Sequence, residues 1–285
     1  MALEFVPLPN RVGAEIRGLD PRRIGSEDEA ALREAFLGHS VLLLRGVPLT
    51  PESHVAITRA FGEPEIHPMV LTRLADHPEI IVPRPYGAQE TEDPEATVGY
   101  IPWHADESYT LRPCHGALLR AVEIPPEGGE TGFIDTAAVY DALPDAWKAE
   151  IEGLEAIYRL ARGRRVLGIA SEGPEARALL EHFPDVVHPL VRVDPESGVR
   201  SLEISPMFVD AIVGWPEEES EALLERLRRF AIQDRFVHWH RWQPDDLVIW
   251  NNHRTIHSAA GHKKKYTRTM HRTTLQGESQ GRRAA

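Results

Sequence analysis

The sequence predicts a mainly β protein with flanking helices, and three observations carry that expectation. Short strand-like runs recur through the second half, at 115–122, 131–135, 186–193, 201–204, 247–250 and 267–274, separated by turn residues. Helical patterns are few and lie before or between these runs. No internal repeat and no low-complexity linker divides the chain. Together these features describe an antiparallel β architecture of sandwich or barrel type.

Taken in order, residues 1–24 alternate and turn, with short strands around 5–7 and 14–17. Ser26 as a cap, acids behind it and apolar residues at helical spacing predict a helix over 26–38, stopped by Gly38. The apolar run Val41–Leu44 reads as a buried strand. Thr50-Pro51-Glu52 offers an N-cap and a first-turn proline, so 50–61 reads as a second helix. A short strand at 80–82 precedes a stretch rich in Pro, Gly and acids that runs to Gly99, a length typical of a functional or mobile loop. Helical patterns at 136–146 and 146–155 interrupt the later strands. The clearest helix is 217–234, with acids first and arginines further on, matching the helix dipole. Its Leu223, Leu224, Leu227 and Phe230 form one apolar stripe, suited to packing on a sheet.

Composition sets limits. Of 285 residues, 42% are hydrophobic and 27% charged, as in a soluble globular chain, and the length suits a single domain over 1–285. A net charge of −12 argues against nucleic-acid or membrane-surface partners and leaves a small-molecule substrate. Cys114 stands alone, which excludes an intrachain disulfide and a cysteine-rich metal site. The first residues lack a basic start and apolar run, and no apolar stretch approaches the ~18 residues of a membrane span. A cytoplasmic location is the expectation.

The segment Trp103-His104-Ala105-Asp106 holds the first chemical signal. Residues i and i+2 of a strand share a face, so His104 and Asp106 would present an imidazole and a carboxylate side by side. Two histidines and one carboxylate make the ligand set of non-haem Fe(II) oxygenases. Alone, His-x-Asp is weak, and the chain has 14 histidines. After the apolar run 247–250, His253 falls in a polar turn and His257 in the next extended run, which makes His257 the better third ligand. Residues 266–273 alternate with period two, placing Arg268 and Arg272 on one face. Such arginines suit carboxylates, or else a solvated edge or ion pair.

With these residues in hand, the chain resembles the taurine dioxygenase and 2,4-dichlorophenoxyacetate dioxygenase family of Fe(II)/2-oxoglutarate-dependent enzymes. The anchors are 103–106, Pro125-Pro126-Glu127-Gly128-Gly129-Glu130-Thr131, 140–144, 188–192 and 252–272, in matching order from Leu32 to Leu275. The resemblance implies a double-stranded β-helix, or jelly-roll, core. It implies Fe(II) held by His104, Asp106 and His257, 2-oxoglutarate held through its distal carboxylate by Thr131 and Arg268, and O2 as oxidant. Arg272 falls where relatives bind the anionic group of the prime substrate, and His67 where a histidine lines the substrate pocket. Val70 and Tyr100 replace polar residues of taurine-specific members and point to a larger or more hydrophobic molecule. Relatives imply a homo-oligomer, a dimer or tetramer.

The expected reaction is hydroxylation of a small anionic substrate, or cleavage through hydroxylation, with release of succinate and CO2. A sulfate ester, an aryloxyalkanoate or an amino acid derivative are the alternatives to a sulfonate. From another class, a non-oxidising metal-dependent binding protein would leave Thr131 and Arg268 with no carboxylate to hold. Segments 86–99 and 158–173 read as lids, the second carrying Arg162, Arg164 and Arg165. Asn251, Asn252 and Arg254 either orient the metal shell or serve the turn.

Overall fold

The computed structural model describes residues 3–67, 70–88 and 91–284. A hairpin of β1 (Glu4–Pro7) and β2 (Gly13–Arg17) is followed by α1 (Ser26–Gly38), β3 (Val41–Leu44) and α2 (Pro51–Phe61). Next come β4 (Arg73–Leu74), β5 (His77–Ile81), β6 (Thr97–His104), β7 (Gly116–Glu123), β8 (Thr131–Asp135), α3 (Thr136–Asp141) and α4 (Asp145–Ile151). The middle section holds β9 (Glu155–Tyr158), α5 (Leu160–Val166), α6 (Pro174–His182), β10 (Val186–Pro189), β11 (Val191–Val193), β12 (Arg200–Leu202), β13 (Val209–Ile212) and α7 (Glu217–Ala231). The chain ends through β14 (His238–His240), β15 (Leu247–Asn251), β16 (Thr255–Lys263), β17 (Thr269–Leu275) and β18 (Arg282–Arg283).

The major sheet has the order β1-β2-β3-β15-β7-β17-β5-β4, and a second sheet has the order β14-β8-β16-β6. Within them, β2 and β3 pair in parallel, whereas the strands that carry the site are antiparallel. Side-chain alternation explains how these layers stack. In β15, Leu247 and Ile249 face Leu32, Phe36, Ile57 and Phe61 of the two N-terminal helices. Val248 and Trp250 face the other way and meet Phe133 of β8, together with Val41, Leu43 and Ala117. The Phe133 and Trp250 rings lie 6.0 Å apart, so the two sheets share one interior. Beyond the second sheet, Ile134 and Ile256 pack with Leu223, Leu224 and Leu227 of α7. Phe133 is fully buried, and its removal would cost about 3–5 kcal/mol.

Several expectations shift at their edges. The cap of α1 is Gly25, whose N–H donates to the Asp28 carboxylate, and Ser26 is the first helical residue. The Thr50 cap is present, its hydroxyl accepting from the Ser53 N–H at 3.2 Å. The helical patterns over 136–155 end earlier, because Pro144 starts a new short helix and Glu155 already belongs to a strand. The run 186–193 splits after Pro189, with β10 pairing β9 and β11 pairing β12. Proline has no N–H with which to continue a ladder.

Of the two segments read as lids, Gln89 and Glu90 in the first lie outside the described residues, and its last residues belong to β6. The second contains α5; Arg159 just before it and Arg162 and Arg165 within it pair with Asp210, while Arg164 donates to the Ala170 carbonyl. None of these arginines lines a cavity beside His104. Among the described residues, no helix is long and apolar enough to cross a membrane.

Candidate active site

β16 lies between β8 and β6, and its register decides what meets inside the sheets. His257 pairs across with His104 of β6 on one side and with Phe133 of β8 on the other. Directly opposed residues come close enough for their side chains to touch, and the two imidazole centroids are 4.2 Å apart. A bulge follows: His257 pairs with His104, but Ala259 pairs with Ile101. The extra residue on β6 re-aims its side chains, so that Ile101 and His104, three apart, both line the interior cavity.

Asp106 reaches the same point by another route. β6 ends at His104, and Asp106 sits in the turn beyond it, so the shared-face argument from a continuous strand does not apply. Asn252 holds that turn instead. Its Oδ1 accepts from the Asp106 N–H at 2.9 Å, and its Nδ2 donates to the carbonyls of Asp106 at 2.9 Å and Cys114 at 3.0 Å. Arg254 points elsewhere, pairing with Asp135 at 2.8 Å.

The donor atoms converge. Nε2 of His104 and Nε2 of His257 each lie 3.6 Å from an Asp106 carboxylate oxygen, and the three buried groups fall within 4.8 Å of one another. Nδ1 of His104 donates to the Pro102 carbonyl at 2.7 Å, because a carbonyl can only accept. That fixes the tautomer and leaves the Nε2 lone pair aimed at the cluster. Burial, with His104 nearby, pushes His257 down to about 3, so it stays neutral at working pH. Burial works against the Asp106 charge, yet Arg272 and then His257 hold this carboxyl well below the usual range. Arg272 donates to both Asp106 oxygens, at 2.9 and 3.5 Å.

Two cavities meet at His104. One, of about 130 Å³, is lined by Thr131, His257, Arg268 and Arg272 among others. Here Arg268 precedes β17 rather than lying within it, and its guanidinium donates to the Gly129 carbonyl at 3.3 Å. Gly129 has a φ of 77°, and a Cβ there would sit 3.2 Å from Arg268 Nε, so glycine suits both the turn and the arginine. Among the described residues no carboxylate pairs with Arg268, its Nε has no partner, and burial alone pushes it down to about 10. The other cavity, of about 260 Å³, is lined by His67, Ile81, Ile101, Leu167, Met207, Phe208 and Arg272 among others. Tyr86 borders both cavities, and its hydroxyl donates to the Leu167 carbonyl at 3.0 Å.

Tyr100 and Val70 are not brought to either cavity. Tyr100 is 53% exposed on the opposite face of β6, and Val70 is 68% exposed on a short turn. Glu107 and Tyr109, which follow Asp106, do line the larger cavity and gave no sequence signal beyond their proximity to it. Burial, reinforced by Glu65 and Asp106, raises Glu107 to about 7.

Comparison with known proteins agrees with this geometry. Residues 4–274 match the model described as "Taurine catabolism dioxygenase TauD, TfdA family". The chain belongs to that family. It is 31% identical over 285 residues to the (S)-phenoxypropionate/alpha-ketoglutarate-dioxygenase of Sphingobium herbicidovorans, covering 97% of this chain and 96% of the relative. An alpha-ketoglutarate-dependent sulfate ester dioxygenase of Pseudomonas putida is 30% identical, covering 98% and 91%. A taurine dioxygenase structure from Burkholderia xenovorans superposes with a TM-score of 0.79 at 32% identity, covering 98% and 90%. As a TauD, TfdA family member the chain is an oxidoreductase, a dioxygenase that uses Fe(II), 2-oxoglutarate and O2. The donor set fits such an ion, having one carboxylate and two imidazoles, and the buried Arg268 guanidinium, with no carboxylate partner among the described residues, fits a dicarboxylate nearby.

Proposed function

We propose that His104, Asp106 and His257 hold the iron, that Thr131 and Arg268 bind the distal carboxylate of 2-oxoglutarate in the smaller cavity, and that the larger cavity takes the prime substrate. The observation that carries this reading is Arg268: a buried cation beside the metal-ligand set, with no acid to neutralise it among the described residues. A buried charge without a counter-ion is costly, and an incoming carboxylate removes that cost.

When bound, iron and 2-oxoglutarate supply the oxidising power, with O2 consumed, 2-oxoglutarate converted to succinate and CO2, and oxygen delivered to a substrate carbon. The chain's part is placement. Arg272 faces the anionic group of the substrate, with His67 on the same wall. Ile81, Ile101, Leu167, Met207 and Phe208 surround an apolar body and keep water out. An organic anion with an apolar body therefore suits this cavity. An aryloxyalkanoate is the first choice, in keeping with the phenoxypropionate relative, and a sulfate ester the second. We further read the two facing sheets as a jelly roll and residues 1–285 as one catalytic domain. Segments 86–99 and 158–173 act as its lids, joined over the larger cavity by the Tyr86–Leu167 bond.

Anaerobic addition of Fe(II) and 2-oxoglutarate should produce the visible charge-transfer band of the chelate. Folded protein without that band would overturn the reading. Succinate release should then be faster with aryloxy acids than with taurine. The reverse order would overturn the substrate assignment alone.

A further inference from the structure

Thr131 is 5% exposed and lines the smaller cavity beside Arg268. The indole N–H of Trp242 donates to its hydroxyl oxygen at 3.0 Å. An indole nitrogen is a donor only, whereas a hydroxyl has one proton and two lone pairs. With one lone pair engaged by Trp242, the Thr131 proton turns away from the indole, and among the described residues no acceptor takes it.

Trp242 is itself fixed from behind. Its ring stands edge-on to His240, with centroids 4.6 Å apart at 87°. His240 is the cross-strand partner of Thr131, so this ring and the threonine are set by the same register. Nε2 of His240 lies 3.1 Å from a carboxylate oxygen of Asp246, a residue with no exposed surface. Asp246 also accepts from Arg45 and from the backbone N–H groups of Gly46 and Gln243. Both oxygens of that carboxylate are engaged within the fold, Oδ2 by Arg45, His240 and Gln243 and Oδ1 by Gly46, so the series Asp246, His240, Trp242 has a settled orientation and ends at the cavity wall.

We propose that Trp242 is a positioning residue for the cosubstrate: by occupying one lone pair of Thr131 it commits the hydroxyl proton to the distal carboxylate of 2-oxoglutarate. A carboxylate only accepts, so a threonine free to rotate would present its lone pairs to the anion part of the time. This inference rests on the assignment of the smaller cavity to 2-oxoglutarate.

The test measures binding to Mn(II)-substituted full-length protein by calorimetry, with 2-oxoglutarate and with 2-oxovalerate, which has the same carbon chain without the distal carboxylate. Trp242→Phe keeps an aromatic ring against His240 and removes the N–H. It should weaken 2-oxoglutarate about five- to tenfold and leave 2-oxovalerate within twofold. Thr131→Val should weaken 2-oxoglutarate similarly, and adding Trp242→Phe to it should cost nothing more. Equal losses for both acids, no loss for either, or fully additive losses would overturn the proposal. If wild-type protein bound no 2-oxoglutarate, the cavity assignment itself would fail, a distinct result. Should Trp242→Phe not fold, wild-type protein still reports through its indole N–H resonances. The resonance that moves on replacing Thr131 by valine should also move with 2-oxoglutarate and stay with 2-oxovalerate; an unresponsive resonance would overturn the proposal.

Discussion

The two cavities that meet at His104 are built differently. The smaller takes most of its wall from paired strands, with Pro83 to Tyr86 added on one side: Thr131 opens β8, His257 lies in β16, Met270 and Arg272 lie in β17, and a glycine turn closes over Arg268. The larger takes much of its wall from segments outside the two sheets, among them His67, Tyr86, Tyr109, Leu167 and Met207. Arg268, which lines the smaller cavity, differs from Arg272, which borders both. Arg268 has no acid among the described residues, whereas Arg272 shares Asp106 with the metal-ligand set. Under the proposed assignment, the ligand common to every turnover is held by the strand-built part and the variable ligand meets the loop-built part.

The largest effect expected is at the histidine cluster beside His104, where the two cavities meet. His257→Ala should abolish bound metal and turnover together, and metal content measured on purified protein checks it; retained stoichiometric metal would place the third ligand elsewhere, His253 being the neighbour to examine.

Arg268→Ala should raise the dissociation constant of 2-oxoglutarate about ten- to hundredfold, the range of charge-assisted hydrogen bonds. Arg272→Ala should raise the KM of the prime substrate about tenfold and leave 2-oxoglutarate binding within twofold. If both substitutions acted on both ligands equally, the two cavities would be functionally one.

A smaller effect follows from titration. Burial lowers Arg268 from its ordinary 12.5 to about 10, so its charge is present at neutral pH and is lost as pH rises through that value. Affinity for 2-oxoglutarate should be level between pH 7 and 9 and decline above about 10, read by calorimetry on folded protein. Smallest of all, Tyr100→Ala should change kcat/KM by less than about twofold, since an exposed surface side chain contributes little.

The contrast between the cavities also explains what the sequence disclosed. The strands of the smaller cavity have local signatures, so Thr131, His257, Arg268 and Arg272 are found from alternation together with the family resemblance. The shared-face argument does not place Asp106: it is held by Asn252, a contact spanning about half of the chain. The side Tyr100 faces depends on a bulge in β6, one extra residue that alternation alone does not reveal. The apolar wall of the larger cavity draws on positions from Ile81 to Phe208, brought together only by tertiary folding. Within 158–173 the pattern does not show that α5 forms there, with Arg162 and Arg165 paired to Asp210 and Arg164 to the Ala170 carbonyl.

The direct pairing of His104 with His257 bears on how such a chain can diverge. Lengthening either strand by one residue between the bulge and the histidines would turn one imidazole to the opposite face, and no substitution nearby would restore it. Insertions and deletions are therefore barred from β6 and β16 near His104 and His257, whereas of 158–173 only Leu167 lines the larger cavity. Loop grafts between relatives of different substrate preference should therefore leave both of these strands intact.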